Sequence, residues 1–275
     1  MVSQDQFTPA APKLAATVLL LRDTDRGIEV YVQERVASMR FAANMTVFPG
    51  GGVDPRDFPA QGQTRQAGRE AIVDGAYAAK LGTDVRTAHA LVCAAVRETF
   101  EETGTLLARH IGGSIVEDSS RYHAQRGQLE ACELAFSEFL SAEELILDPS
   151  LIRPWANWVT PKTQPIRYDT HFFLAAHPPG QVADGNTSEA SSTGWFRPSS
   201  ILDGWRREVI GLMPPTWAEL KRVEQFATVR QALDAANAEP IRRTSSDFLE
   251  QPFMDEYFAV ATHMGHLRRT SRDDH

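Results

Sequence analysis

The stretch from Phe48 to Gly104 constrains this chain more than any other, because it pairs a glycine-rich turn with a helix crowded with carboxylates. The first half is Phe48-Pro49-Gly50-Gly51-Gly52-Val53-Asp54-Pro55-Arg56-Asp57, following a short apolar run. The second is Ala94-Ala95-Val96-Arg97-Glu98-Thr99-Phe100-Glu101-Glu102-Thr103-Gly104, with a glycine as helix stop. Residues three and four apart share a helix face, so Glu98, Glu101 and Glu102 crowd one stripe. A like-charged i,i+4 pair such as Glu98 and Glu102 costs a few tenths of a kcal/mol in an isolated helix, and a bound cation turns that repulsion into a binding site. Magnesium takes one or two carboxylates and leaves positions for water and substrate phosphates. Glycine lets a backbone come close to a phosphate because it has no side chain and tolerates positive φ. A bare R-E-x-x-E-E string is more often a solvated helix face with an ordinary Arg97–Glu101 ion pair. The adjoining glycine turn is what shifts the reading to a divalent cation and a diphosphate.

The two halves resemble the box of the Nudix hydrolases, G-x5-E-x7-R-E-U-x-E-E-x-G-U with U a bulky aliphatic residue. Gly51 and Asp57 match its start, with Asp in place of Glu, and Arg97, Glu98, Glu101, Glu102 and Gly104 match its end. Thr99 and Thr105 stand at aliphatic positions, and residues 58–96 replace the short spacer. Lengthening a surface loop costs only about 0.6 kcal/mol per doubling, so the split is physically tolerable. A box split in this way is similar to that of the peroxisomal coenzyme A diphosphatases. Those enzymes also carry L-L-T-x-R-S-x3-R-x3-G-x3-F-P-G-G ahead of the box. Arg35, Arg40 and Phe48 to Gly51 fit that pattern, while Gln33, Val36 and Asn44 stand where Thr, Ser and Gly are expected.

The resemblance implies an α/β fold, an α/β/α sandwich around a mixed sheet. It would be a single domain over residues 13–275 behind a flexible stretch 1–12, with a helical insertion at 58–93 and a helical extension at 199–275. It implies Mg2+ or Mn2+ held by Glu98, Glu101, Glu102 and the Gly50 backbone. Catalysis would fall to the same glutamates with Arg97, which would tie Asp57 to the helix, and Glu189, a further ligand or the base that activates water. Asp184 is the reserve for that base. Arg35 and Arg40 would clamp substrate phosphates through charge-assisted hydrogen bonds, alongside Phe48 and Gly51. The implied reaction is hydrolysis of a nucleoside diphosphate joined to another moiety. Coenzyme A or its thioesters lead, cleaved to 3',5'-ADP and a phosphopantetheine product, and ADP-ribose, NADH or a nucleotide sugar are the alternatives. A nucleotide sensor without turnover is the other class, and the intact glutamate set argues against it. A homodimer is expected from the family and from the apolar insertion.

A net charge of -8 and a pI near 5.5 argue against a broad nucleic-acid face. Two cysteines, Cys93 and Cys132, make neither a disulfide framework nor a zinc pattern, which suits a reducing cytoplasm. The apolar run Leu14–Leu21 is too short to span a bilayer, no secretory leader is expected, and Asp273-Asp274-His275 does not read as a peroxisomal address.

Along the chain, Lys13–Arg22 reads as a buried strand that turns through Asp23-Thr24-Asp25-Arg26-Gly27 into an alternating strand from Ile28, and Met45–Phe48 as a third. Gly82-Thr83-Asp84 marks a break and cap before the glutamate helix. Residues 109–146 read as polar and helical, with Glu138, Glu143 and Glu144 on solvated faces. Arg153–Pro161 and Arg167–Ala176 read as sheet strands, in which Trp155, Trp158, Tyr168 and His171 are expected to pack rather than bind. A further strand starts near Trp195. Leu212-Met213-Pro214-Pro215-Thr216 separates two helices, since Pro-Pro begins a helix and does not continue one. The aromatic tail beyond Pro240 is expected to pack.

Overall fold

The computed structural model describes residues 10–35, 45–59, 73–187, 190–245 and 254–263. Strand β1, Lys13–Thr24, is the centre of the fold. Successive strand residues point to opposite faces. Ala16, Val18 and Leu20 therefore enter one hydrophobic cluster, and Leu19 and Leu21 enter the other. Burial on both faces is why the strand reads as one continuous apolar run.

β1 turns into β2, Gly27–Arg35, with Leu21 opposite Val30. Two short strands follow, β3, Met45–Val47, and β4, Gly50–Gly52. Further along come β5, Ala108–His110, and β6, Leu145–Leu147, which form a separate two-stranded sheet. The main sheet is completed by β7, Ile152–Val159, β8, Tyr168–Ala176, β9, Ala190–Phe196, β10, Gly211–Leu212, and β11, Arg243–Thr244. Among the described residues its order is β10-β3-β2-β1-β8-β7-β11, with β4 on β1 and β9 on β2. β1 is antiparallel to β2 and β4 but parallel to β8, so the sheet is mixed.

Helices cover both faces. On one lie α1, Gly75–Leu81, α2, Val85–Thr103, α3, His123–Glu130, and α4, Phe136–Ala142. On the other lie α5, Pro198–Arg206, α6, Pro214–Val223, α7, Val229–Ala238, and α8, Asp255–His263. This is the expected α/β/α sandwich. α2 is the helix that matters for the site. Asp84 caps its first turn by accepting from the Thr87 N–H at 3.0 Å, and Gly104 ends it in a left-handed conformation. No helix among the described residues is long and apolar enough to cross a membrane.

Three boundaries differ from the sequence reading. The strand read as starting near Trp195 runs Ala190–Phe196, so Trp195 lies near its end. The stretch 109–146 contains the β5–β6 pair as well as helices. The C-terminal region adds edge strands β10 and β11 to its helices.

Trp155 and Trp158 are core residues, and His171 is buried within the sheet. The Trp158 indole donates at 2.7 Å to Glu219, a carboxylate on α6 that is only 4% exposed. Among the described residues the other Glu219 oxygen has no partner within ordinary hydrogen-bond geometry, and Arg222 stands 3.8 Å away. Burial pushes this carboxyl above its usual range against the pull of Arg222. A raised folded-state value means that the native state keeps a proton the unfolded chain has released. Its contribution to stability is therefore full below the unfolded value and is lost as pH rises through the folded one. Glu219→Gln keeps the acceptor for Trp158 and removes the charge. The variant is expected to melt about 2–4 °C above wild type at pH 8, the size of a roughly 1 kcal/mol gain, with the gap closing towards pH 4.5. Thermal unfolding at the two pH values checks it.

Candidate active site

The register of β1 brings the two halves of the split box together. Ala15, Ala16 and Thr17 pair with Gly52, Gly51 and Gly50, which lays the glycine strand under α2. A methyl placed on Gly51 would come within 2.5 Å of the Glu98 carboxylate, so the carboxylate rests directly over a residue without a side chain. Gly50 has φ +154°, and a methyl there would meet the Ala16 carbonyl and the Thr17 backbone. One glycine makes room for a functional group and the other makes room for the sheet.

Arg97 joins the halves. Its Nε and Nη2 donate to the two Asp57 oxygens at 3.0 and 2.9 Å, a bidentate pair. Nη2 also donates to the Gly52 carbonyl at 3.1 Å, and Nη1 to Glu98 at 2.8 Å and Glu101 at 3.2 Å. Asp57 is held in turn: it accepts from the Asp54 N–H at 2.8 Å in a capping box and is only 3% exposed. Burial alone would lower the Arg97 guanidinium, but the Asp57 bonds and the charges of Glu98, Asp57 and Glu101 outweigh it and hold the group protonated. Burial raises Glu101, with Arg97 pulling against it.

Glu102 is fixed from the other side. One of its oxygens accepts from the Gly50 N–H at 2.7 Å and from the Gln33 amide at 2.8 Å. Gln33 is 1% exposed, and its amide oxygen has no hydrogen-bond partner among the described residues. The sequence reading placed Gln33 among the alternating residues of a half-exposed strand from Ile28 and noted it as a departure from the arginine pattern.

The remaining sequence-derived residues scatter. Arg35 is half-buried at the end of β2, opposite Ala190. Phe48 is 3% exposed in the cluster beneath α5 to α8. Arg40 and Glu189 lie outside the described residues. Asp184 is held by Arg126 at 2.7 Å, an arginine in the stretch that the sequence reading took as solvated.

Among the described residues no group of three or more His, Cys, Asp or Glu is arranged to hold an ion. The Glu98 and Glu102 carboxylates lie against the glycine strand, and Glu98 and Glu101 both accept from Arg97. Two carboxylates beside a glycine strand are a donor set that Mg2+ or Mn2+ takes, and among the described residues no thiolate or imidazole joins them to favour a softer ion. The residues fit a hard divalent cation.

The family model of the NUDT19 Nudix domain matches residues 10–223. The acyl-coenzyme A diphosphatase NUDT19 of Xenopus laevis is 24% identical over 233 residues, covering 74% of this chain and 61% of that protein. Putative nudix hydrolase 7 of Caenorhabditis elegans is 28% identical over 224 residues, covering 77% and 60%. This chain thus spans about three fifths of the length of these curated relatives. The crystal structure of a NUDIX hydrolase from Alicyclobacillus acidocaldarius superposes with a TM-score of 0.65 at 28% identity, over 82% of this chain and 96% of that one. A family model that covers most of the chain, together with a Nudix structure that shares its sandwich, places the protein: it belongs to the NUDT19 Nudix domain family.

Proposed function

We propose that the chain is a divalent-metal-dependent hydrolase that cleaves the diphosphate joining a nucleoside to another moiety, with coenzyme A or an acyl-coenzyme A as substrate. The observation that carries this is the seating of Glu98 and Glu102 on the Gly50–Gly51 strand, fixed by Arg97 on one side and Gln33 on the other. A cation held there by the two carboxylates and a loop carbonyl would stabilise charge on the diphosphate oxygens. Arg97 keeps the acidic residues in register without touching substrate. Water attacks one phosphorus, the bond to the bridging oxygen breaks, and a base takes the water proton. Glu189 is proposed for that base, because the Asp184 carboxylate is committed to Arg126 and a base must reach the attacking water. Arg35 and Arg40 are proposed to hold the nucleotide phosphates. The names of the NUDT19 relatives support a coenzyme A thioester over ADP-ribose, NADH or a nucleotide sugar.

Glu102→Gln tests the reading. It keeps an acceptor for Gly50 and removes the charge, so turnover with Mg2+ or Mn2+ is expected to fall roughly 10²-fold or more while the circular dichroism spectrum stays that of wild type. A variant that hydrolyses as fast as wild type sinks the assignment.

A further inference from the structure

Arg126 has a place in the molecule that the Nudix box does not foresee. It sits on α3 and is 4% exposed, an unusual position for an arginine. Every arm of its guanidinium is engaged. Nε donates to the Glu101 carbonyl at 2.9 Å, Nη1 to both Asp184 oxygens at 2.7 and 2.9 Å, and Nη2 to the Asn186 carbonyl at 3.0 Å. The same corner is cross-linked by the backbone. The Asp184 N–H donates to the Thr103 carbonyl at 3.0 Å, and the Asn186 N–H donates to Asp184 at 2.9 Å. Gly104 completes the fit: with φ +72° it ends α2, and a methyl on it would meet Arg126 at 2.9 Å and Asp184 at 3.3 Å. The last turn of α2 carries Glu101 and Glu102, and its carbonyls form the negative end of the helix dipole, where a cation is favoured.

We propose that Arg126 is a positioning residue for the active site. It ties the last turn of the glutamate helix to the segment 184–187, and so holds Glu102 at the angle at which it meets Gly50 and a metal ion. Each guanidinium nitrogen is bonded within the protein, and its effect passes through Glu101 and Glu102, with Asp184 as its counter-ion. A purely structural arginine would stabilise the fold without altering how the site holds metal. A positioning arginine alters metal affinity and kcat in a protein that remains folded. Outer partners of metal ligands typically change affinity or activity by about 10- to 100-fold when removed.

The inference rests on the hydrolase reading for its kinetic arm, and its metal arm stands apart from turnover. The experiment uses the full chain with Arg126→Ala, Arg126→Lys and Asp184→Asn. Mn2+ affinity is measured by electron paramagnetic resonance, and kcat and KM are measured with coenzyme A. In folded Arg126→Ala, the Mn2+ Kd is expected to rise about tenfold and kcat to fall about 30- to 100-fold with KM within threefold. Arg126→Lys is expected to recover part of both losses, and Asp184→Asn to shift both in the same direction by less. Mn2+ Kd and kcat within twofold of wild type in folded Arg126→Ala overturn the proposal, as does a rise in KM alone. Should Arg126→Ala not fold, Asp184→Asn decides, and wild-type values for both quantities in that variant overturn the proposal. A wild type that binds Mn2+ but hydrolyses no diphosphate defeats the hydrolase reading and leaves the Mn2+ comparison to judge Arg126. A wild type that binds no Mn2+ defeats both.

Discussion

Gly51→Ala is expected to lose turnover by about two orders of magnitude, roughly 3 kcal/mol of transition-state stabilisation, while its unfolding free energy stays within about 1 kcal/mol of wild type. The asymmetry comes from what a methyl would strike. At Gly51 the obstacle is the Glu98 carboxylate, the mobile end of a flexible side chain that swings aside at little cost to the fold. That swing removes the carboxylate from the place where it faces the glycine strand. At the neighbouring Gly50 the obstacle is backbone, the Ala16 carbonyl and the Thr17 Cα, which cannot give way without opening the β1–β4 pairing. Urea titration with initial-rate kinetics on the same preparation separates the cases. A Gly51→Ala enzyme with wild-type kcat would show that the position of Glu98 over this residue does not matter to catalysis.

The largest loss of stability is expected at Arg97. Its side chain is 12% exposed, and it is the cation that Asp57, Glu98 and Glu101 share. Asp57 is more deeply buried still, with a side chain 2% exposed. Replacing Arg97 with Met keeps much of the volume of the stem and leaves three carboxylates facing one another in a poorly solvated corner. Breaking a buried pair by deleting one partner typically costs about 3–5 kcal/mol, because the remaining charge is uncompensated. A loss of that size is expected for Arg97→Met in urea unfolding at pH 7. Arg97→Lys should recover only part of it, since an ammonium cannot reproduce the two parallel bonds to Asp57. A loss below about 1 kcal/mol, the range of an exposed pair, would mean that the corner is better hydrated than its burial suggests.

Much of the framework was legible because local chemistry and tertiary need agree. The run from Leu14 to Leu21 is apolar at every residue but Thr17 because both faces of β1 are covered. Asp84 and Gly104 bound α2 for the ordinary reasons of capping. Pro214 and Pro215 open α6, where their missing N–H groups do no harm. The Arg97–Asp57 bond could be anticipated because both residues belong to a spaced pattern. Gln33 and Arg126 could not be, since nothing local distinguishes a buried glutamine or arginine from a solvated one. Gln33 acquires its role from Glu102, which is 69 residues away, and Arg126 from Asp184, which is 58 residues away. Arg40 and Glu189 lie outside the described residues, and their roles rest on the resemblance alone.

The central claim is that the carboxylates seated on the Gly50–Gly51 strand hydrolyse a nucleoside diphosphate linkage. The most direct measurement is identification of the products that the purified chain releases, with Mg2+ or Mn2+, from coenzyme A, ADP-ribose, NADH and a nucleotide sugar. The account predicts metal-dependent cleavage, with 3',5'-ADP and a phosphopantetheine product from coenzyme A formed fastest. Metal-dependent release of AMP from ADP-ribose or NADH in preference would keep the chemistry and overturn the substrate. No product from any of the four, from a folded protein that binds the metal, would contradict the claim.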